Sequence, residues 1–335
     1  MEKRDIVIES LNHRQPPKIP YFIGFTQRVK TQMAEYYGDP EFYKKLGNYL
    51  YMVSWEKDGL WKEVEPDIWE DHFGVRWNKK IDKDIGTVCN YVISPENMDQ
   101  FKLIDPEYVF DENKISESIK QNTDNLFCIA NFGFSLFERA WTMVGMENLL
   151  VAMVDNKKFV HKLFDMLVEF NLKILEKFCK NPIDGVLIGD DWGQQKGLIM
   201  GPRFWHEFIE PRIRQMYSLV KKHKKYVFIH SCGKVDELFP FLIDAGLDVF
   251  NPFQPEVMDV FEIKKKFGNK LSFYGGISTQ KLLPYGTVDE TKDQVRRLLD
   301  EIGKNGGYIA APAHSIPYGA RTENIAAMIE VLQNQ

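Results

Sequence analysis

Cysteine is scarce in this 335-residue chain, limited to Cys89, Cys128, Cys179 and Cys232. Their spacing forms no disulfide framework, so each is expected as a thiol, and any cysteine of interest is a ligand or a nucleophile. Long apolar runs are also lacking. No segment reaches the roughly 20 consecutive apolar residues of a membrane span, and Met1 to Asp5 carry charge where a signal peptide would be apolar. A cytoplasmic location is expected. Positive charge is not in excess: the formal net charge is -5 and the basic residues are scattered, which leaves no footprint for nucleic acid or an anionic membrane surface. No low-complexity tract or Pro/Gly/Ser-rich linker divides residues 1–335, which therefore read as one domain.

A hydrophobic content of 44% is ample for a large core. Its arrangement is a series of short β-branched or aromatic runs, each followed by a helical pattern, the signal of repeated βα units. Eight runs predict strands: 19–25, a weak one at 66–70, 126–132, 184–189, 226–231, 247–251, 271–275 and 307–311. Helices are predicted between the later ones at 202–223, 235–245 and 288–303, with Gly246 and Gly303 as C-terminal glycines. Alternating apolar residues from 72 to about 94 predict a β-hairpin insertion, and the N-terminus a helical extension. A doubly wound sheet would show a glycine-rich phosphate turn after its first strand, but Phe25-Thr26-Gln27-Arg28 stands there. The fold class is therefore α/β, a (β/α)8 barrel.

In a barrel the C-terminal ends of all strands meet at one mouth, where barrel enzymes do their chemistry. Those ends here are Gly189-Asp190-Asp191-Trp192, His230-Ser231-Cys232-Gly233, Asn251-Pro252-Phe253-Gln254, Gly275-Gly276-Ile277-Ser278 and Pro312-Ala313-His314. Residues two apart on a strand face the same side, so His230 and Cys232 can grip one ion. With His314 they make three N/S ligands and an open fourth position, the pattern of catalytic zinc. The other readings are a buried small cysteine beside a hydrogen-bonded histidine, and a Cys-His nucleophile pair. Asp190 and Asp191 are candidates for a general acid, a metal ligand or a partner to a ligating histidine, or for a helix N-cap before residues 192–198. Phe25, Phe134, Trp192, Asn251, Gln254 and Tyr274 are the expected substrate contacts. Glu138 and Arg139 read as a structural pair on a helix surface, though either could face the pocket.

These residues carry a resemblance that covers nearly the whole chain. Arg14-Gln15-Pro16-Pro17-Lys18-Ile19-Pro20, Gly189-Asp190-Asp191-Trp192-Gly193, Met200-Gly201-Pro202, His230-Ser231-Cys232-Gly233, Phe250-Asn251-Pro252, Tyr274-Gly275-Gly276-Ile277 and Gly306-Gly307-Tyr308-Ile309 resemble the uroporphyrinogen decarboxylase superfamily. That superfamily holds a porphyrin-pathway decarboxylase and zinc-dependent, corrinoid-linked methyltransferases of the methylcobalamin:coenzyme M type. The decarboxylase carries a Met-Arg-Gln-Ala-Gly-Arg-Tyr segment after its first strand, suited to a polyanionic macrocycle; this chain has Phe25-Thr26-Gln27-Arg28-Val29-Lys30. The methyltransferase branch is the nearer one, and its likeness gives His230 and Cys232 the role of zinc ligands. His314 stands where the coenzyme M enzymes place a third ligand cysteine, which leaves the substrate open. The resemblance implies a methyl group moved between a small substrate and a corrinoid, free or on a partner protein. The alternatives are a metal-free decarboxylase and a non-catalytic barrel that binds a tetrapyrrole or another small ligand.

Overall fold

The computed structural model describes residues 1–335. Seven parallel strands form one sheet whose order in space follows the chain: Leu50–Val53, Phe127–Phe132, Gly185–Gly189, Tyr226–His230, Val249–Phe253, Ser272–Ile277 and Tyr308–Pro312. The run that includes Tyr21 and Phe25 closes the ring. Tyr21 bridges Ala310 and Phe25 bridges Ile316, both in parallel, while the Tyr49 amide donates to the Tyr21 carbonyl at 3.0 Å. Eight chain segments thus surround one core, as the βα pattern predicts. The first is held by isolated bridges rather than a continuous ladder, in keeping with Pro20, which has no N–H to donate.

One expectation is corrected and another extended. The second barrel strand is Leu50–Val53, whereas Ile68–Glu70 belongs to a separate antiparallel sheet made with Lys62–Glu65, Arg76–Asn78 and Thr87–Val88. Composition predicts that 66–70 is extended but not which sheet it joins; Lys62–Glu65 is exposed throughout, which a barrel strand covered on both faces cannot be. The predicted hairpin is present as the pairing of Trp77 with Val88 and Asn78 with Thr87, and two further strands precede it. Phe73, Val75 and Trp77 join the same buried cluster as the barrel strands, so the insertion packs on the barrel.

The helical signals also hold with local exceptions. The segment 201–222 is helical throughout but widens to a π-turn at Trp205–Ile209, just before Pro211, whose missing N–H interrupts the regular ladder. Gly246 ends its helix in the left-handed conformation at φ 101°. Gly303 does not: its φ is -71°, and Gly306 and Gly307 make the left-handed turn into the last strand.

Candidate metal centre

Strand register builds the site. Gly189, His230 and Asn251 align across three neighbouring strands, so the mouth has a small residue, an imidazole and an amide in one row. The turns that follow are laced together: the Asp190 amide donates to the His230 carbonyl, and the Gly193 amide to the Cys232 carbonyl. Gly233 lies at φ 88°, and a Cβ there would come within 2.3 Å of the Gly193 backbone. Only glycine allows this approach, which holds Asp191 against Cys232. The Cys232 amide donates to Asp191 Oδ1 at 2.7 Å.

His230, Cys232 and His314 place their ligand atoms within 4.8 Å of one another. Cys232 Sγ is 3.5 Å from His230 Nε2, and the two imidazole rings stand 5.6 Å apart at 71°. Asn251 orients the first histidine. Its Nδ2 donates to the Tyr274 carbonyl at 3.0 Å, which turns Oδ1 toward His230 Nδ1 at 2.6 Å. That acceptor requires the proton on Nδ1 and leaves the Nε2 lone pair facing Cys232 and His314. Desolvation, then repulsion from His230, holds His314 below the usual histidine range, which favours the unprotonated ring that a metal requires. Burial, followed by the charge of Asp191, pushes the Cys232 thiol up. A divalent cation among these atoms reverses that preference, and one thiolate with two imidazoles is a fitting donor set for zinc.

The two aspartates point in opposite directions, as consecutive strand residues do. Asp190 is fully buried behind the mouth, where Oδ1 accepts from the amides of Leu136 and Glu138 and Oδ2 from the Trp192 indole. It thereby caps the helix Phe137–Val144, whose own preceding residue, Leu136, has no side chain to do so. Burial raises its pKa to about 6, against the pull of those hydrogen bonds. The helix expected at 192–198, which an aspartate was to cap, is absent: residues 193–198 form a small hairpin, and Asp190 caps Phe137–Val144 instead. Asp191 enters the cavity, with Oδ1 3.9 Å from His230 Nε2.

The cavity at the mouth has a volume of about 450 Å3. Of the expected site residues it is lined by Phe25, Phe134, Asn251, Tyr274, Asp191, His230 and His314, while Cys232 lies outside the lining. Asp190, Trp192 and Gln254 are buried outside the lining; Gln254 Oε1 accepts from the Gly233 amide at 2.8 Å and so supports the ligand turn. Glu138 is a lining residue that the helix-surface reading misplaces. It faces Asp191 in the cavity, and burial with the charges of Asp191 and Asp190 raises its pKa well above the usual carboxylate range. Arg139 turns the other way and pairs with buried Asp71 of the insertion at 2.7 Å.

A family model described as uroporphyrinogen decarboxylase matches residues 73–335. The chain belongs to that family. Among curated relatives of this uroporphyrinogen decarboxylase family protein, a methylated-thiol–coenzyme M methyltransferase of Methanosarcina mazei is 20% identical over 64% of the chain and 55% of the relative. A uroporphyrinogen decarboxylase of Methylococcus capsulatus is 21% identical over 54% of the chain and 50% of the relative. The alignments thus span about half the length of these two relatives. A solved structure titled methyltransferase from Methanosarcina mazei superposes with a TM-score of 0.75, at 15% identity, over 100% of the chain and 99% of its own. That likeness extends the family's barrel fold to the whole chain.

Other lining residues had weaker signals. Asn131 is a polar side chain inside the apolar run Phe127–Phe132, which is a usable cue. Met52 sits on the strand that composition missed, and Ile85 comes from the insertion, so neither could be assigned to the mouth before the topology was known. No helix is long and apolar enough to cross a membrane.

Proposed function

We propose that this protein is a zinc-dependent methyltransferase that moves a methyl group between a small substrate and a corrinoid, free or on a partner protein. The observation that carries this reading is the convergence of His230, Cys232 and His314 at the barrel mouth, with the His230 tautomer set by Asn251. Family membership and the likeness to a named methyltransferase support it. Zinc held by these three residues supplies a Lewis acid, which lowers the pKa of a thiol or polarises an ether oxygen. The chain's own groups do the rest. Asn251 orients the His230 ring through Nδ1, Asp191 fixes the Cys232 backbone, and Phe25, Phe134 and Tyr274 give the cleft aromatic walls. Asp191 and Glu138 are the acids within the cavity that can hold or release a proton. Asp190 is a positioning residue, acting through the helix that presents Glu138.

The decarboxylase alternative demands a site for a polyanionic macrocycle. The cavity lining holds neither Lys nor Arg, which disfavours it. The test is metal analysis of protein purified without added zinc. About one equivalent of zinc is expected, lost in His230→Ala and Cys232→Ala. Metal-free protein, with both variants unchanged in activity and stability, overturns the proposal. So does conversion of uroporphyrinogen to coproporphyrinogen.

A further inference from the structure

The acids of the cavity have no basic side chain from the chain paired with them apart from His230. Glu138 and Asp191 both line it, and no Lys or Arg lies within 4 Å of either carboxyl group; the one ion-pair contact is Asp191 with His230 at 3.9 Å. The nearest basic residues are engaged elsewhere. Arg139, next to Glu138 in sequence, is buried against Asp71 with its guanidinium 5.6 Å from the centre of the Phe134 ring, and Arg28, three residues from Phe25, lies 3.2 Å over the ring of Tyr318. A metal on His230, Cys232 and His314 neutralises Asp191, which is beside His230, but leaves Glu138. The remaining walls include the aromatic rings of Phe134 and Tyr274. A carboxyl group without an ion-pair partner, in an aromatic-walled cleft, is suited to an organic cation, whose arrival favours the ionised acid and whose charge is also attracted to the ring faces.

We infer that Glu138 is a specificity-determining residue, which selects a small substrate carrying an ammonium or quaternary ammonium group and rejects anionic substrates of the same size. The heteroatom end of that substrate faces His230, Cys232 and His314, and its charged end faces Glu138 and Phe134. The placement of the heteroatom end rests on the metal reading above; the charge preference does not.

Three thiols with the same two-carbon arm separate these claims: 2-mercaptoethyltrimethylammonium, the neutral 3,3-dimethylbutane-1-thiol and 2-mercaptoethanesulfonate. Dissociation constants are measured by calorimetry on the purified full-length protein. The cation should bind about tenfold more tightly than the neutral thiol, and the sulfonate most weakly. Glu138→Gln should bring the cation to within about threefold of the neutral thiol without changing the neutral thiol's Kd, and Phe134→Leu should cut the cation's advantage by about threefold. Sulfonate binding as tight as the cation's overturns the inference. So does a cation-to-neutral ratio unchanged in Glu138→Gln, or no binding of the cation at millimolar concentration. If His230→Ala and Cys232→Ala leave all three constants and their ranking intact, the metal reading falls and the charge preference stands.

Discussion

At the base of the barrel, acids that precede strands are fully engaged. Asp184 pairs with Arg4 at 2.7 Å and accepts from the Cys128 amide at 2.9 Å; Asp248 pairs with Lys221 at 2.7 Å and accepts from the Val227 amide at 2.8 Å. At the mouth, Asp191 and Glu138 lie in a cavity with no Lys or Arg partner. Residues of the same type, on the same scaffold, are thus ion-paired with Lys or Arg at one end and without such a partner at the other. Acids held without a basic partner cost stability and persist where a ligand supplies one, whereas acids ion-paired by the chain support the fold. The contrast points to the mouth as the proposed site independently of His230, Cys232 and His314.

Asp190 tests the contrast most severely, because it sits at the mouth yet is bonded like a base residue. Asp190→Ala leaves the amides of Leu136 and Glu138 and the Trp192 indole without their acceptor in a fully buried site. A loss of about 3 kcal/mol in denaturant unfolding is expected. A variant of unchanged stability would show that burial at the mouth does not depend on this cap. Glu138 gives the opposite sign. Its folded-state pKa lies above its unfolded value, so its contribution to stability is full below the unfolded pKa and is lost as pH rises through the folded one. At neutral pH, Glu138→Gln should therefore stabilise the protein by about 1 kcal/mol, with the gain disappearing near pH 4. Urea unfolding of both proteins across that range decides it; a destabilised variant at neutral pH would place Glu138 among the satisfied acids.

The sequence exposes the mouth more readily than the elements around it. His230 and Cys232 are two apart on a strand and His314 follows the last strand, so the two-residue period and the closure of a barrel suffice to bring them to one end. The same period separates Asp190 from Asp191, yet which one faces the cavity depends on the register of Gly185–Gly189 with its neighbours, and no local pattern gives that register. Glu138 and Arg139 show a clearer missed cue. Adjacent helical residues do not face each other, so the pair had to diverge, one to the cavity and one to Asp71. Leu50–Val53 offered only four residues between irregular segments, too short for periodicity, while the insertion supplied a more strand-like stretch that pairs elsewhere.

The smallest effect is expected at the base. Arg4 is about two-fifths exposed, so its pairing with Asp184 is screened by solvent, and the Cys128 amide still engages the carboxylate when the guanidinium is gone. Arg4→Ala should cost about 0.5 to 1 kcal/mol in denaturant unfolding. It should leave metal content and the cation preference of the mouth unchanged, because the pair lies at the opposite end of the strand from His230. A fall in bound zinc, or in the ratio of cation to neutral-thiol affinity, would mean that the two ends are coupled through the barrel. In that case the unpaired acids at the mouth would depend on the ion-paired ones at the base, and the separation between stability and chemistry drawn from them would fail.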